Sequence, residues 1–296
     1  MSAPAPLLAV LGNPIGHSLS PVMHEAAFAA TGRAGRYIAC AVQPERLAAA
    51  LAGLAALGFV GCNVTVGLKE AACALATRRS AAAAATGSAN TLRFSPDGAI
   101  YADTTDGRGL LASLRQEAGW TPEGRSVLLL GAGGAARGIA QAFAAAGAKV
   151  AVHNRTAARA ERLASDLGLG IGTVDAAGMP DLLLRLSLVV NCTTVGMGGE
   201  GLALAEGWLQ RLSPSALVCD IVYSPEETAL LRAARDLGLP TLGGLGMLAW
   251  QAALSWEVWF GTRGPADVML AAARHELRRR QEPAEGSAVV RAKDQP

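Results

Sequence analysis

The stretch SVLLLGAGGAARGIAQAF, residues 126–143, constrains the fold more than any other part of the chain. An uncharged apolar run ends on a glycine, and a helical pattern begins within a few residues. A buried strand must therefore turn sharply into a helix. Gly131 permits the tight turn, Gly133 lets the backbone approach a ligand, and Ala136 allows the helix to pack closely on the sheet. A strand with no polar face belongs to a parallel sheet, and parallel neighbours need crossover helices. The rhythm recurs. Downstream strands are expected at KVAVHN, LSLVVNCT and ALVCDIVY, and upstream ones at LLAVLG, RYIACAV and FVGCNVTV, with helices starting near Pro21, after Pro44 and after Lys69.

This pattern predicts an α/β protein of two domains. The first is an α/β substrate domain with a mainly parallel sheet, spanning 1–106 and regaining 246–273 from the tryptophan-rich helical stretch of Trp250, Trp256 and Trp259. The second, 107–245, is a Rossmann-like nucleotide domain, and GRGLLASLRQEAG reads as the helix joining them. At 296 residues the chain exceeds the size of most single cores. The breaker-rich, charged 274–296 segment is expected to be a disordered tail.

Charge and composition exclude several classes. Hydrophobic residues make up 51% and charged ones 17%, with a net charge of +2 and no basic stripe interleaved with aromatics, so a nucleic-acid partner is not expected. The five cysteines are scattered and show no ligand spacing to the four histidines, so reduced thiols, no metal and a cytoplasmic setting are expected. No uninterrupted apolar run reaches the ~18 residues of a membrane span, and MSAPAPLLAVLGNP lacks a basic region ahead of its apolar run, so it reads as a first strand. Small ligands are the expected partners.

The glycine loop at a helix N-terminus suits a pyrophosphate. About twenty residues on, an NAD site would carry an acidic residue for the ribose. Here Asn154, Arg155 and Thr156 stand instead, donors that suit a 2′-phosphate and select NADP. In the first domain, polar residues fall at strand ends: Ser18, Ser20, Thr65, Lys69, Asn90 and Asp106. Together they form a hydroxyl-rich pocket with one lysine and one carboxylate, suited to a polyhydroxylated acid. Hydride delivery to a ketone leaves charge on oxygen. Lys69 can supply the proton, and Asp106 can hold the ammonium in its charged form. His17 and His24 are the alternative acids.

The motifs GNPIGHSLSP, NVTVGLK, SANTL, TTDGRG, GAGGAAR, NRT, NCTTVGM, DIVYSPEET and GLGMLAWQ occur in the order found in the shikimate dehydrogenase family, which the chain resembles over residues 7–273. The resemblance implies NADPH-dependent reduction of 3-dehydroshikimate to shikimate in aromatic amino acid biosynthesis, with a monomer or homodimer as the working unit. It places substrate contacts on Ser18, Ser20, Thr65, Lys69, Asn90, Asp106, Tyr223 and Gln251, and the catalytic pair on Lys69 and Asp106. It places cofactor contacts on Gly131, Ala132, Gly133, Gly134, Ala135, Asn154, Arg155, Thr156, Ile221, Gly244 and Met247. Departures from the family pattern fall at Glu25, Gly67, Leu68, Ala81 and Thr104. Gly67 replaces a proline and is expected to loosen the approach to Lys69. Leu68 is expected to remove a polar or aromatic wall from the pocket. A quinate or aminoshikimate dehydrogenase is the alternative these changes leave open, and a non-catalytic metabolite-binding regulator is the distant one.

Overall fold

A computed structural model describes residues 4–198, 201, 204 and 207–281. In the first part, β1 (Leu7–Gly12) leads into α1 (Ser20–Thr31), β2 (Arg36–Ala41) into α2 (Leu47–Ala56), and β3 (Gly61–Val64) into α3 (Lys69–Leu75). Then come β4 (Arg78–Arg79), α4 (Ala81–Thr86), β5 (Thr91–Phe94) and β6 (Ile100–Asp103). After α5 (Asp106–Ala118) a second series follows: β7 (Ser126–Leu130), α6 (Gly134–Ala145), β8 (Lys149–His153), α7 (Ala157–Leu167), β9 (Gly172–Thr173), α8 (Met179–Leu183) and β10 (Leu188–Asn191). It ends with β11 (Leu217–Asp220), α9 (Ala229–Asp236) and β12 (Thr241–Leu242), and the chain closes on α10 (Gly244–Phe260) and α11 (Ala266–Gln281).

The strands form two sheets, ordered β2-β1-β3-β5-β6-β4 and β12-β11-β10-β7-β8-β9 among the described residues. In the second sheet every pairing is parallel, and its order reverses direction beside β7, where the glycine loop begins. In the first, β5 runs antiparallel to both β3 and β6, and the other pairings are parallel. The sequence pattern anticipates β1, β2, β3, β7, β8, β10 and β11, but not the two-residue strands β4, β9 and β12 or the β5–β6 hairpin. Its strands are four residues each and its turn, Ser95–Gly98, is short, so no long apolar run marks it.

Each sheet is covered on both faces. Apolar clusters around Leu129, Val190 and Phe143, and around Leu128, Val189 and Leu230, flank the second sheet. Clusters around Leu8, Met23 and Trp256, and around Leu11, Leu51 and Leu92, flank the first. Helix α10 serves both parts. Its Met247 packs with Val190 and Cys219, whereas Trp256 and Trp259 pack with Met23 and Phe28, and Trp259 Nε1 donates to the Leu92 carbonyl at 2.9 Å.

One expectation needs correcting. The sequence suggests a disordered tail from residue 274, yet α11 continues to Gln281, because Leu277 is buried against the first sheet's core and anchors the helix's last turns. Residues 282–296, the rest of the expected tail, lie outside the described residues. All five cysteines are unpaired thiols. No helix among the described residues is long and apolar enough to cross a membrane, and no described group of His, Cys, Asp and Glu is arranged to hold a metal ion.

Candidate active site

Lys69 and Asp106 meet, Nζ to Oδ2, at 2.6 Å. Each is the first residue of its helix, α3 and α5 respectively. A carboxylate in a first turn is favoured by the helix dipole, which suits Asp106. The two side chains are only 14% and 6% exposed. Desolvating a charge pair costs about as much as the attraction returns, so such a pair is weak evidence of a stability role and reads better as machinery.

The approach to Lys69 differs from the loosened turn anticipated from Gly67. Leu68 N–H donates to the Thr65 carbonyl at 3.1 Å, and Gly67 sits at φ +83, the signature of a hydrogen-bonded type II turn. Proline, fixed near φ −65, does not fit there. Leu68 does not border the pocket at all. It is 1% exposed and packs into the core under α2 and α3.

Asn90 secures the other carboxylate oxygen. Its Nδ2 lies 3.1 Å from Asp106 Oδ1, 2.9 Å from Thr105 Oγ1 and 3.0 Å from Gln251 Oε1, while its Oδ1 accepts the Thr105 N–H at 2.8 Å. With Lys69 on Oδ2 and Asn90 on Oδ1, the carboxylate cannot rotate freely. The network continues away from the pair, and sequence reasoning missed most of it. Asn63 Nδ2 reaches the Asn90 carbonyl, Thr91 Oγ1 and Ser255 Oγ, and Asn63 Oδ1 accepts from Tyr37 Oη at 2.7 Å. Asn63 opens the NVTVGLK motif, so the signal was present. Ser255, 192 positions away, had none.

Ser18 and Ser20 lie at the entry to α1, where the Ser20 N–H donates to Ser18 Oγ at 3.2 Å. Thr65 packs over Gly12 at the end of β1, Tyr223 is half-buried after β11, and Gln251 faces Asn90 from α10. The alternative acids do not qualify. His24 is fully buried, stacked on Tyr37 at 4.1 Å, and burial lowers its pKa to about 3, so it carries no proton to give near neutrality. His17 is exposed, and what it contributes is its backbone carbonyl, to Arg280.

The nucleotide loop adjoins this pair. Gly131 has φ +108 and donates its N–H to the His153 carbonyl at 2.8 Å, turning the chain from β7 into α6. Helix α6 starts at Gly134 with no side-chain cap, and open space lies over Gly133. Unpaired first-turn N–H groups facing open space suit a phosphate. Gly134 is the link between the two sites. A Cβ there would lie 3.3 Å from Lys69 Cβ, and Ser88 Oγ donates to the Gly134 carbonyl at 3.5 Å. Asn154, Arg155 and Thr156 sit where β8 ends; Arg155 is exposed, and Asn154 Nδ2 holds the Thr156 carbonyl at 2.9 Å. Gly244 abuts the Ile221 carbonyl so tightly that a side chain would collide with it, and Met247 lies one turn further along α10. The residues present thus fit a dinucleotide whose phosphates rest on the loop.

Known proteins match this arrangement in order. Residues 10–92 match the family model for the shikimate dehydrogenase substrate binding domain, 114–221 that for shikimate / quinate 5-dehydrogenase, and 244–274 that for the shikimate 5′-dehydrogenase C-terminal domain. The shikimate dehydrogenase (NADP(+)) of Dinoroseobacter shibae is 46% identical over 260 residues, covering 87% of this chain and 93% of that protein. The chain belongs to the shikimate dehydrogenase family. Among solved members, shikimate 5-dehydrogenase from Thermus thermophilus, in complex with NADP(H) and shikimate, is 36% identical with a TM-score of 0.82, covering 91% of this chain and 99% of that one. Quinate dehydrogenase from Corynebacterium glutamicum, in complex with NAD, is 30% identical with a TM-score of 0.83, covering 92% and 99%. Of the positions where this shikimate dehydrogenase family member departs from the family's motifs, Thr104 lies beside the Lys69–Asp106 pair. It is buried beside Asp106, and its Oγ1 has no hydrogen-bond partner. Glu25 instead ties β2 to α1, accepting the Tyr37 N–H at 2.8 Å, and Ala81 merely begins α4.

Proposed function

We propose that the chain catalyses the reversible, NADPH-dependent reduction of 3-dehydroshikimate to shikimate, a step of chorismate and aromatic amino acid biosynthesis. The observation that carries this reading is the nearly dry Lys69–Asp106 pair set against the first residue of the nucleotide helix. The substrate half comprises 1–106 with 246–273, the nucleotide half 107–245. Bound NADPH supplies the hydride. Lys69 Nζ donates a proton to the ketone oxygen as charge develops there, and Asp106, held by Asn90, fixes the ammonium in position and favours its charged form. Gly131 to Ala135 would cradle the pyrophosphate of NADPH, Asn154, Arg155 and Thr156 would take its 2′-phosphate, and Ile221, Gly244 and Met247 would complete the cofactor contacts. Ser18, Ser20, Thr65, Tyr223 and Gln251 line the ring acid. The setting is the cytoplasm, and the working unit a monomer or homodimer.

The test is the rate of NADP⁺ and NAD⁺ reduction with shikimate, quinate and aminoshikimate. Preference for shikimate with NADP⁺ supports the reading, and preference for quinate with NAD⁺ overturns both substrate and cofactor. The quinate reading draws on Thr104, whose lone hydroxyl alters the surroundings of Asp106. Arg155 opposes it, since NAD-linked chemistry is better served by an acidic residue at the ribose. A binding-only regulator has no use for a positioned proton donor. Lys69→Ala is accordingly expected to lower kcat by ~10²- to 10⁴-fold with a smaller change in KM, and near-normal turnover would remove Lys69 from the mechanism.

A further inference from the structure

Helix α11 ends beside the substrate pocket. Arg280 Nη1 donates to the His17 carbonyl at 2.9 Å, one residue before Ser18, and its Nε donates to Glu276 Oε1 at 2.8 Å. Arg279 also binds both oxygens of Glu276, so two guanidinium groups share that one carboxylate. The Arg280 charge reaches Tyr223. Burial raises the phenol above its ordinary pKa, and the Arg280 guanidinium pulls it back down.

Among the described residues assigned to the ring acid, no other group supplies such a charge. Ser18, Ser20, Thr65 and Tyr223 are neutral, and Lys69 is engaged by Asp106 and faces the reacting oxygen. A ring acid that puts its ketone at Lys69 must leave its carboxylate at the hydroxyl-lined end, where neutral donors alone would compensate a desolvated anion poorly. We infer that Arg280 is a positioning residue of the substrate site, anchoring the turn before α1 through the His17 carbonyl and placing positive charge beside the hydroxyls that receive the substrate's carboxylate. This rests on the function proposed above, and it gives the end of α11 a role in recognising the acid.

The test compares Arg280→Gln, which keeps a hydrogen-bond donor and loses the charge, with Arg280→Lys, which keeps the charge. Dissociation constants of shikimate and of its uncharged methyl ester are measured on the full chain with NADP⁺ present. Arg280→Gln is expected to weaken shikimate about fivefold, the scale of a partly exposed charge interaction, and to leave the ester within twofold. Arg280→Lys is expected to restore most of the affinity for the acid. Equal weakening of acid and ester, or no weakening of the acid, would overturn the role of Arg280. A wild-type chain that binds neither ligand would instead overturn the proposed function, so the two failures are distinct.

Discussion

At Gly67 the backbone decides where the Lys69 ammonium points. The turn needs φ +83 at that position and nothing crowds it within 4 Å, so a side chain there meets strain from the backbone alone. Gly67→Ala is expected to destabilise by about 1 kcal/mol in urea unfolding, with kcat falling as Lys69 loses its aim. Arg155→Ala is expected to weaken NADPH by roughly 1.5 to 3 kcal/mol, measured by fluorescence titration, with NADH nearly unchanged. Equal loss for both cofactors would contradict the 2′-phosphate assignment. Lys69 and Asp106 were legible in the sequence because both stand inside motifs with a chemical rationale. Leu68 was misread because a sequence does not reveal which way a turn rotates its residues; here the positive φ of its neighbour sends it into the core. Asn63, Tyr37 and Ser255 are ordinary polar residues until folding brings them into one network.

Helices α1 and α10 meet around His24, whose two ring nitrogens lack hydrogen-bond partners and whose ring stacks between Tyr37 and Trp256. In the folded chain this histidine stays neutral down to about pH 3, whereas an unfolded one takes up a proton below about 6.5. Its contribution to stability is therefore complete above pH 6.5 and declines as pH falls towards 3. Between pH 8 and pH 5 the loss is about 2 kcal/mol, and His24→Phe is expected to remove most of that difference in unfolding free energy. A pH dependence unchanged by the substitution would contradict this. Elements of this length were readable wherever an apolar run fed a helix. The β5–β6 hairpin escaped because four-residue strands carry too little pattern, and the last turns of α11 escaped because charged residues mask the buried Leu277 and Glu276.

For the molecule as a whole, α6 also touches the end of α4. Arg137 on α6 donates through Nε to the Thr86 carbonyl at the end of α4, at 2.7 Å, and pairs with Asp166 on α7 at 2.8 Å. Arg137→Ala is expected to enlarge the radius of gyration of the free chain in solution scattering, as the α6–α4 contact is lost, and to raise KM for shikimate and NADPH together. A change confined to one ligand would assign Arg137 to that site alone. The broad division into two sheets was legible from the βα rhythm, whereas contacts such as Arg137 with Thr86 depend on how the halves meet, which local patterns do not encode. Helix α10 closes the first core with Trp256 and Trp259, although it follows the entire second sheet in the chain. During synthesis the first sheet must therefore wait, with an apolar face uncovered, until the whole second sheet and α10 have been made, which leaves that face of the nascent chain open to a chaperone.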